Sequence, residues 1–391
     1  MGGLFTAIAT TADQSLTLFE IGLTLLVLGI LAFGAVKIKI SVVPFYLITG
    51  LALGQGSIVP LTLSEDFLNT GAQIGAILLL LMLGLEYSGA ELAEAFNTKK
   101  SVGAIDFFSN AVPGALIALI LGWGWIGALV LGGITYVSSS GIAAQMMKET
   151  GWQRSLLSKR VASVLVAEDL SLAPYLPLLT SILAGLGAIA GFLSVAVALL
   201  MTGLALVFSF MGQRAVSRVL NKDAPGGLLL TVFGAALIAA GLAELVGFSS
   251  AVAAFLVGLV LTGEVAHAAR LRLSPLRDLF AAIFFLFFGL SIQVTEVIAV
   301  LPLALLLAVV GIAGKMFTGW WVARDMTDDM SWKRAGAFLI PRGEFSIVIA
   351  ALAAGSVTFG GQIQALTWTY VLITSLTASI ALRFFRSKFE R

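Results

Sequence analysis

Two adjacent carboxylates, Glu168 and Asp169, interrupt an apolar stretch and are the residues best placed to do chemistry. Buried carboxylates repel each other and resist the loss of water, so we expect the pair to hold a proton and a cation in turn. Alternating occupancy is the minimum device that couples a cation flux to a proton flux. The alternative is a purely structural pair that joins two helices and is neutralised by Lys315. Such a salt bridge needs only one acid, and the second acid would add a charge that must be desolvated.

Two further segments carry residues that interrupt helices. Serines followed by glycine weaken the helical ladder, and proline removes a backbone amide. Interrupted helices at matching positions in two halves of a chain indicate a transporter site, and kinks packed by small residues are the alternative. The segments are Tyr136-Val137-Ser138-Ser139-Ser140-Gly141-Ile142 and Ile340-Pro341-Arg342-Gly343-Glu344-Phe345-Ser346.

A hard monovalent cation prefers oxygen ligands, and five residues are candidates to supply them. These predicted ligands are the carboxylates of Asp169 and Glu168 and the hydroxyls of Ser138, Ser139 and Ser140. Lys315, Arg342 and Glu344 are predicted to compensate charge around them.

The charge-compensating residues have alternative readings. Lys315 is expected near Asp169, where a cation could displace it, or else as a lysine that reaches toward the membrane surface. Arg342 is expected to have a structural role, with an acid such as Glu86 as partner, and with Glu344 to neutralise helix termini. Other polar residues in or near apolar runs are Asp106 and Glu244, whereas His267 is expected in a solvated loop over 263–278.

Composition makes lipid the main solvent of this chain. Of its 391 residues, 59% are hydrophobic and 11% are charged, against about 45–50% apolar and about 25% charged in soluble domains. The absence of cysteine excludes disulfides, iron–sulfur clusters and thiol catalysis, and a single histidine argues against a histidine-built metal site. Residues 1–14 contain no Lys or Arg, so we expect a permanent first span, not a cleavable signal.

Apolar runs separated by charged or Gly/Pro-rich loops predict about thirteen transmembrane helices, since helices satisfy their own backbone groups in lipid. The predicted spans are 16–36, 41–56, 67–87, 102–121, 124–146, 160–183, 186–213, 226–245, 249–263, 279–297, 299–323, 334–356 and 362–385. Of the 23 basic residues, all but Lys315 and Arg342 lie in alternate loops or in the C-terminal tail. This alternation predicts an odd number of spans, an N-terminus outside and a C-terminus in the cytoplasm.

Taken together, these motifs resemble the monovalent cation:proton antiporter superfamily over residues 15–385. The resemblance is strongest to bacterial potassium/proton antiporters and to the membrane domain of glutathione-gated potassium efflux systems. Besides the acid pair and both interrupted segments, it is carried by Ile48-Thr49-Gly50-Leu51-Ala52-Leu53-Gly54, Leu83-Gly84-Leu85-Glu86, Phe255-Leu256-Val257-Gly258-Leu259-Val260-Leu261 and Phe284-Phe285-Leu286-Phe287-Phe288-Gly289-Leu290-Ser291-Ile292. Glu168 departs from the family pattern, in which Asp, Asn or Gln usually precedes the ion-carrying acid.

The resemblance implies an all-α polytopic membrane protein with two inverted six-helix repeats and crossing discontinuous helices. It implies a homodimer whose core helices, about 102–183 and 299–385, slide against scaffold helices, about 16–87 and 186–297. Asp169 would carry a cation or a proton, and Lys315 would be the family's core lysine. We expect no bound cofactor, because the sequence has no G-x-G-x-x-G strand–helix unit, and the resemblance allows a separate cytoplasmic regulatory subunit.

The sequence therefore predicts a bacterial inner-membrane antiporter, not an enzyme, that exchanges K⁺ in preference to Na⁺ for protons, and no nucleic-acid partner. The alternatives are a sodium-selective antiporter, a cation channel and a sodium-coupled solute symporter on a related fold. An intramembrane aspartyl protease fits less well, because its two acids must face each other from different helices, whereas adjacent residues of one helix diverge by about 100°.

Overall fold

The computed structural model describes residues 2–38, 41–54, 65–86, 100–150, 152, 155–184, 196–197, 200, 224–245, 249–261, 263–355 and 360–385. All fourteen regular elements that can be bounded within these ranges are α-helices. They are α1 (Gly2–Ile38), α2 (Val43–Leu53), α3 (Glu65–Gly84), α4 (Lys100–Ile120), α5 (Gly124–Tyr136), α6 (Ser140–Thr150), α7 (Leu156–Leu183), α8 (Pro225–Leu245), α9 (Ser250–Val260), α10 (Gly263–Leu290), α11 (Val294–Ala323), α12 (Ser331–Leu339), α13 (Glu344–Ala353) and α14 (Gly360–Phe384).

Nine helical segments within the described ranges are long and apolar enough to cross a membrane, if α5–α6 and α12–α13 each count as one. Three shorter apolar helices lie at Val43–Leu53, Asn69–Gly84 and Ser250–Val260. These twelve segments correspond to twelve of the predicted spans. The predicted span 186–213 lies almost wholly outside the described residues, so the count of thirteen stays a prediction.

One predicted boundary is wrong, and the error has a clear cause. Residues 263–278 were expected to form a loop, but α10 begins at Gly263 and carries exposed His267 on its surface. Val265, Ala269 and Leu273 are buried along one side of this stretch, whereas Glu264, His267 and Asp278 are exposed. The segment is thus an amphipathic helix, whose polar face resembles a loop when charge alone is read.

Apart from α1, which contacts α2, the helices of the described ranges pack as two groups. Group 1 consists of α2, α3, α8, α9 and α10, and its backbones approach closely at glycines. A Cβ atom added to Gly50 of α2 would lie 2.7 Å from the Cα of Gly289 in α10. A Cβ atom on Gly84 of α3 would lie 2.9 Å from the Cα of Gly258 in α9. Small residues therefore let these backbones touch, as is common between membrane helices.

Group 2 consists of α4–α7 and α11–α14, and it encloses both helix interruptions. Within it α4 packs on α5 and α11, and α11 packs on α12 and α14. The two groups meet where α14 contacts α2, and there the indole nitrogen of Trp368 donates to the Leu47 carbonyl at 3.3 Å. This arrangement places the two interruptions inside one helix group and away from the glycine contacts of the other.

Candidate functional site

Both predicted helix interruptions are present, and they contact each other; the region of contact is called the crossing below. Residues 137–139 separate α5 from α6, and residues 340–343 separate α12 from α13. The Ser139 amide donates to the Pro341 carbonyl at 2.8 Å, and the Ser138 hydroxyl donates to the Leu339 carbonyl at 2.8 Å. A Cβ atom at Gly343 would lie 2.6 Å from the Ser139 hydroxyl oxygen, so only glycine lets the two segments approach this closely.

Arg342 binds the two helix ends that point their carbonyls into the crossing. Its guanidinium donates to the Thr135 carbonyl at the end of α5, at 3.1 Å from Nε and 2.7 Å from Nη2. Nη1 donates to the carbonyls of Leu339 and Ile340 at the end of α12, both at 3.1 Å. The expected pairing with Glu86 is wrong, because Glu86 lies on group 1 and forms an exposed ion pair with Arg270 at 3.3 Å.

Glu344 lies where the other two half-helices begin. It is the first residue of α13, and its Oε2 accepts a hydrogen bond of 3.0 Å from the Ser139 hydroxyl, next to the start of α6. A helix N-terminus carries partial positive charge and a C-terminus partial negative charge. An acid therefore faces the N-termini and a base faces the C-termini, and the charge-compensating role of Glu344 and Arg342 stays a prediction.

Glu168 is hydrogen-bonded to the interruption between α5 and α6. It is fully buried in α7, and its Oε2 accepts a hydrogen bond from the Ser138 amide. Its Oε1 lies 3.2 Å from the Ser138 hydroxyl, whose single proton it shares with the Leu339 carbonyl. Lys315 of α11 donates to the same Oε1 at 2.9 Å. The buried acid is therefore held by one ammonium and two donors of the interruption.

Lys315 has a second acidic partner that the predicted site omitted. Its Nζ lies 2.9 Å from Oδ1 and 3.0 Å from Oδ2 of Asp106 in α4. The Thr318 hydroxyl donates to the same Oδ1 at 2.9 Å, and the Asn110 amide donates to it at 3.0 Å. The ammonium was expected near Asp169, and in the structure it forms ion pairs with Asp106 and with Glu168, the residue before Asp169.

Asp169 is buried beside Glu168, with 1% of its surface exposed. The Tyr136 ring lies near this cluster, with its centroid 5.6 Å from Lys315 Nζ. A cavity of about 310 Å³ passes between α4, α5 and α7, and its walls include Tyr136 and Ser171. The acid pair thus lies inside the protein but close to open space.

The structure brings most of the predicted site residues to this crossing. Glu168, Ser138, Ser139, Lys315, Arg342 and Glu344 are joined by the contacts above, and Ser140 begins α6 beside them. Sequence reasoning missed Asp106, Asn110 and Thr318. An aspartate within an apolar run was the signal for the first of them, but no sequence pattern marked the other two.

Carboxylate and hydroxyl oxygens of this kind suit a small cation, and buried carboxylates also accept protons. A family model described as the transmembrane sodium/hydrogen exchanger matches residues 22–388. The chain belongs to this family. The exchanger superfamily suggested by the sequence motifs is thereby confirmed.

Relatives of this exchanger are transporters, not enzymes. It is 32% identical to the ammonium/H⁺ antiporter subunit AmhT of Alkalihalophilus pseudofirmus, over 95% of this chain and 96% of that one. It is 29% identical to the K⁺/H⁺ antiporter subunit KhtU of Bacillus subtilis, over 92% and 91% of the two chains.

Two further similarities concern a longer relative and a solved structure. The chain is 29% identical to the glutathione-regulated potassium-efflux protein KefC of Klebsiella pneumoniae, over 89% of its own length but only 56% of that protein's. The sodium proton antiporter MjNhaP1 of Methanocaldococcus jannaschii superimposes with a TM-score of 0.65 at 20% identity, covering 96% of this chain. That likeness shows a shared fold, and together the relatives support a cation:proton antiporter in a bacterial membrane.

Proposed function

We propose that this exchanger moves a monovalent cation against protons, with K⁺ preferred to Na⁺, and that both ions compete for Asp169. The observation that carries the proposal is the buried pair Glu168–Asp169 at the crossing of two interrupted helices. Glu168 is bound to Lys315 and Ser138 and is therefore part of the frame. Asp169 is the neighbouring carboxylate to which we assign the exchange, with Glu168 and the hydroxyls of Ser138, Ser139 and Ser140 as further oxygen ligands.

The preference for K⁺ is supported by the relatives that match over nearly their whole length. One is named for ammonium and the other for K⁺. These two cations have nearly the same radius and are more weakly hydrated than Na⁺. A site shaped for either of them would bind Na⁺ less well, since the smaller ion would need closer ligands.

We infer two inverted repeats of six spans each around a linking seventh span, and paired contacts support this. Equivalent spans would then lie seven apart, so that α2 corresponds to α9 and α3 to α10. The glycine contact between α2 and α10 has its counterpart in the one between α9 and α3. Inversion about an axis in the membrane plane produces this kind of duplicated contact.

The two helix interruptions also lie in spans that would be seven apart. The fifth span, α5–α6, would correspond to the twelfth, α12–α13, and the sixth, α7, to the last, α14. In the first half, the Ser138 amide donates to Glu168 of α7. In the second half, the Arg342 amide donates to the Thr374 hydroxyl of α14 at 3.4 Å. The ionisable acid is therefore present on one side of the pseudo-symmetric site and replaced by a neutral hydroxyl on the other.

Transport in this proposal is an elevator motion in which group 2 slides against group 1. The glycine contacts make group 1 a compact scaffold, whereas the acids and both interruptions belong to group 2. A bare carboxylate is costly to move past an apolar barrier, so the site would cross when a cation or a proton occupies Asp169. That restriction makes the two fluxes obligatory partners.

The remaining features follow the resemblance. The scaffold would form a homodimer, and the loop charges support an N-terminus outside and a C-terminus in the cytoplasm. Both relatives of similar length are named as antiporter subunits, which supports a separate regulatory partner for this chain. A sodium-selective antiporter, a channel and a sodium-coupled symporter are the competing functions, and flux measurements separate them.

The test uses the purified protein in liposomes whose interior is more acidic than the external buffer. Adding K⁺ should dissipate the gradient with a lower half-saturating concentration than Na⁺, and Asp169→Asn should abolish the response. The matched control is Glu86→Gln, an acid-to-amide change at an exposed ion pair, and it should keep the response. Full exchange by Asp169→Asn would refute the site, and cation flux without proton movement would refute the antiporter.

A further inference from the structure

Asp106 is a buried acid that the proposed exchange at Asp169 does not use. It has no exposed surface, and the same holds for Lys315, which contacts both of its carboxylate oxygens. An ammonium has three donors. Two of the three Lys315 hydrogen bonds go to Asp106 and one goes to Glu168. Asp106 is therefore the principal counter-ion of the lysine.

Asp106 is itself fixed by neighbours that lie apart from the crossing. Asn110 is one turn further along α4 and donates to Oδ1, and Thr318 is one turn beyond Lys315 on α11 and donates to the same atom. Asn110 Nδ2 also lies 3.4 Å from the Thr318 hydroxyl. These contacts join α4 to α11 and leave the carboxylate little freedom to move away from the ammonium.

We propose that Asp106 is a positioning residue that neutralises and holds Lys315, and that it thereby sets the cation affinity of the acid pair. The inference deepens the proposed exchange at Asp169 and rests on it. Three carboxylates share this part of the core with one ammonium. With Asp106 present, the charge of Lys315 is cancelled and the negative charge of the pair remains available to a cation. Without Asp106, the same ammonium would cancel one charge of the pair.

A merely structural role for Asp106 predicts a different outcome. A buried salt bridge that only joins α4 to α11 would affect the amount of folded protein and leave the half-saturating cation concentration alone. A charge-setting role predicts that this concentration follows the net charge of the cluster. Charge changes at Asp106 and Lys315 should then have opposite effects and should cancel when combined.

The experiment measures the half-saturating K⁺ concentration and the maximal exchange rate in liposomes, for four proteins. Asp106→Asn should raise the concentration about tenfold, equivalent to about 1.4 kcal/mol, with the maximal rate changed less than about threefold. Lys315→Met should lower it. The double variant has the net charge of the unaltered protein and should return to within about threefold of its value. Glu86→Gln, an acid-to-amide change far from the cluster, should leave it unchanged.

A second measurement does not depend on transport: the K⁺ concentration that gives half-maximal thermal stabilisation in detergent should rank the variants in the same order. An unaltered protein that neither exchanges nor is stabilised by K⁺ overturns the proposed function and this inference together. An unaltered protein that exchanges while the Asp106→Asn concentration is unchanged overturns the inference alone, as does a double variant no better than the single one. If Asp106→Asn does not fold, Lys315→Met decides, because an unchanged half-saturating concentration in that variant overturns the inference.

Discussion

Replacing Arg342 with methionine should loosen the crossing of the two interrupted helices. Methionine keeps an unbranched chain of similar length but has no donor and no charge. The variant removes four hydrogen bonds that the guanidinium donates to the carbonyls of Thr135, Leu339 and Ile340. It also removes the positive charge that faces the C-terminal ends of α5 and α12.

The magnitude follows from which carbonyls lose their side-chain donor. Leu339 still accepts the Ser138 hydroxyl, whereas Thr135 and Ile340 lose the guanidinium. A buried polar group left unsatisfied costs about 1–3 kcal/mol, so the two together amount to about 2–6 kcal/mol. We expect the apparent melting temperature in detergent to fall by on the order of 5 °C or more. Arg342→Lys keeps the charge but loses the planar guanidinium, so its melting temperature should lie between those of Arg342→Met and the unaltered protein.

Hydrogen exchange of backbone amides locates the change. The amides of Ser138 and Ser139 are donors within the crossing, to Glu168 and to the Pro341 carbonyl, and peptides that contain them should exchange faster in the variant. Peptides of α3 and α9, in the other helix group, should exchange as before. Cation exchange in liposomes should fall in parallel.

The matched control is Arg324→Met. Arg324 directly follows α11, its side chain is 45% exposed, and it contacts Asp325 at 3.7 Å and the Trp321 ring at 3.9 Å. Exposed pairs of this kind contribute about 0–1 kcal/mol, so this variant should melt and exchange like the unaltered protein. If Arg342→Met also did so, the guanidinium would not hold the crossing, and the electrostatic account of the half-helix ends would have to be abandoned.

Two close contacts provide further predictions. Gly343→Ala should abolish exchange, because the new Cβ would lie 2.6 Å from the Ser139 hydroxyl oxygen. Adding Ser139→Gly should restore part of the liposome activity. No recovery in the double variant would contradict the steric explanation. Gly258→Ala would place a Cβ 2.8 Å from the Cα of Gly84 and should separate α9 from α3. Its melting temperature should therefore fall while the half-saturating K⁺ concentration of the folded fraction stays the same, and a changed concentration would argue against a purely scaffolding role.

The sequence predicts the two helix interruptions well because local chemistry determines them. Proline at position 341 removes an amide and glycine at 343 accepts a close approach, so the interruption of that helix is readable from neighbouring residues. The same holds for the serine run before Gly141. Long apolar stretches and the alternation of basic residues likewise predict most of the helices, since both are one-dimensional patterns.

The partners of the buried charges were not predictable in the same way. Lys315 is separated from Asp106 by 209 residues and from Glu168 by 147. Which acid it meets depends on how α4, α7 and α11 pack. From the sequence alone, any buried carboxylate is an equally suitable partner for a buried ammonium. The expected partner of Arg342 was wrong for a related reason, because an acid was sought where backbone carbonyls at helix ends supply the negative charge.

This difference also shows how the core accommodates several charges around the proposed cation site. Arg342 directs its donors to the carbonyls at the ends of two half-helices, and Glu344 accepts from Ser139 beside the N-termini of the other two. These two charges are thus matched to helix ends, where an opposite partial charge already exists. The ammonium that contacts the acid pair is that of Lys315, and Asp106 takes two of its three hydrogen bonds. Most contacts of these two basic side chains are thus made with Asp106 and with helix ends, which supports the proposed exchange at positions 168–169.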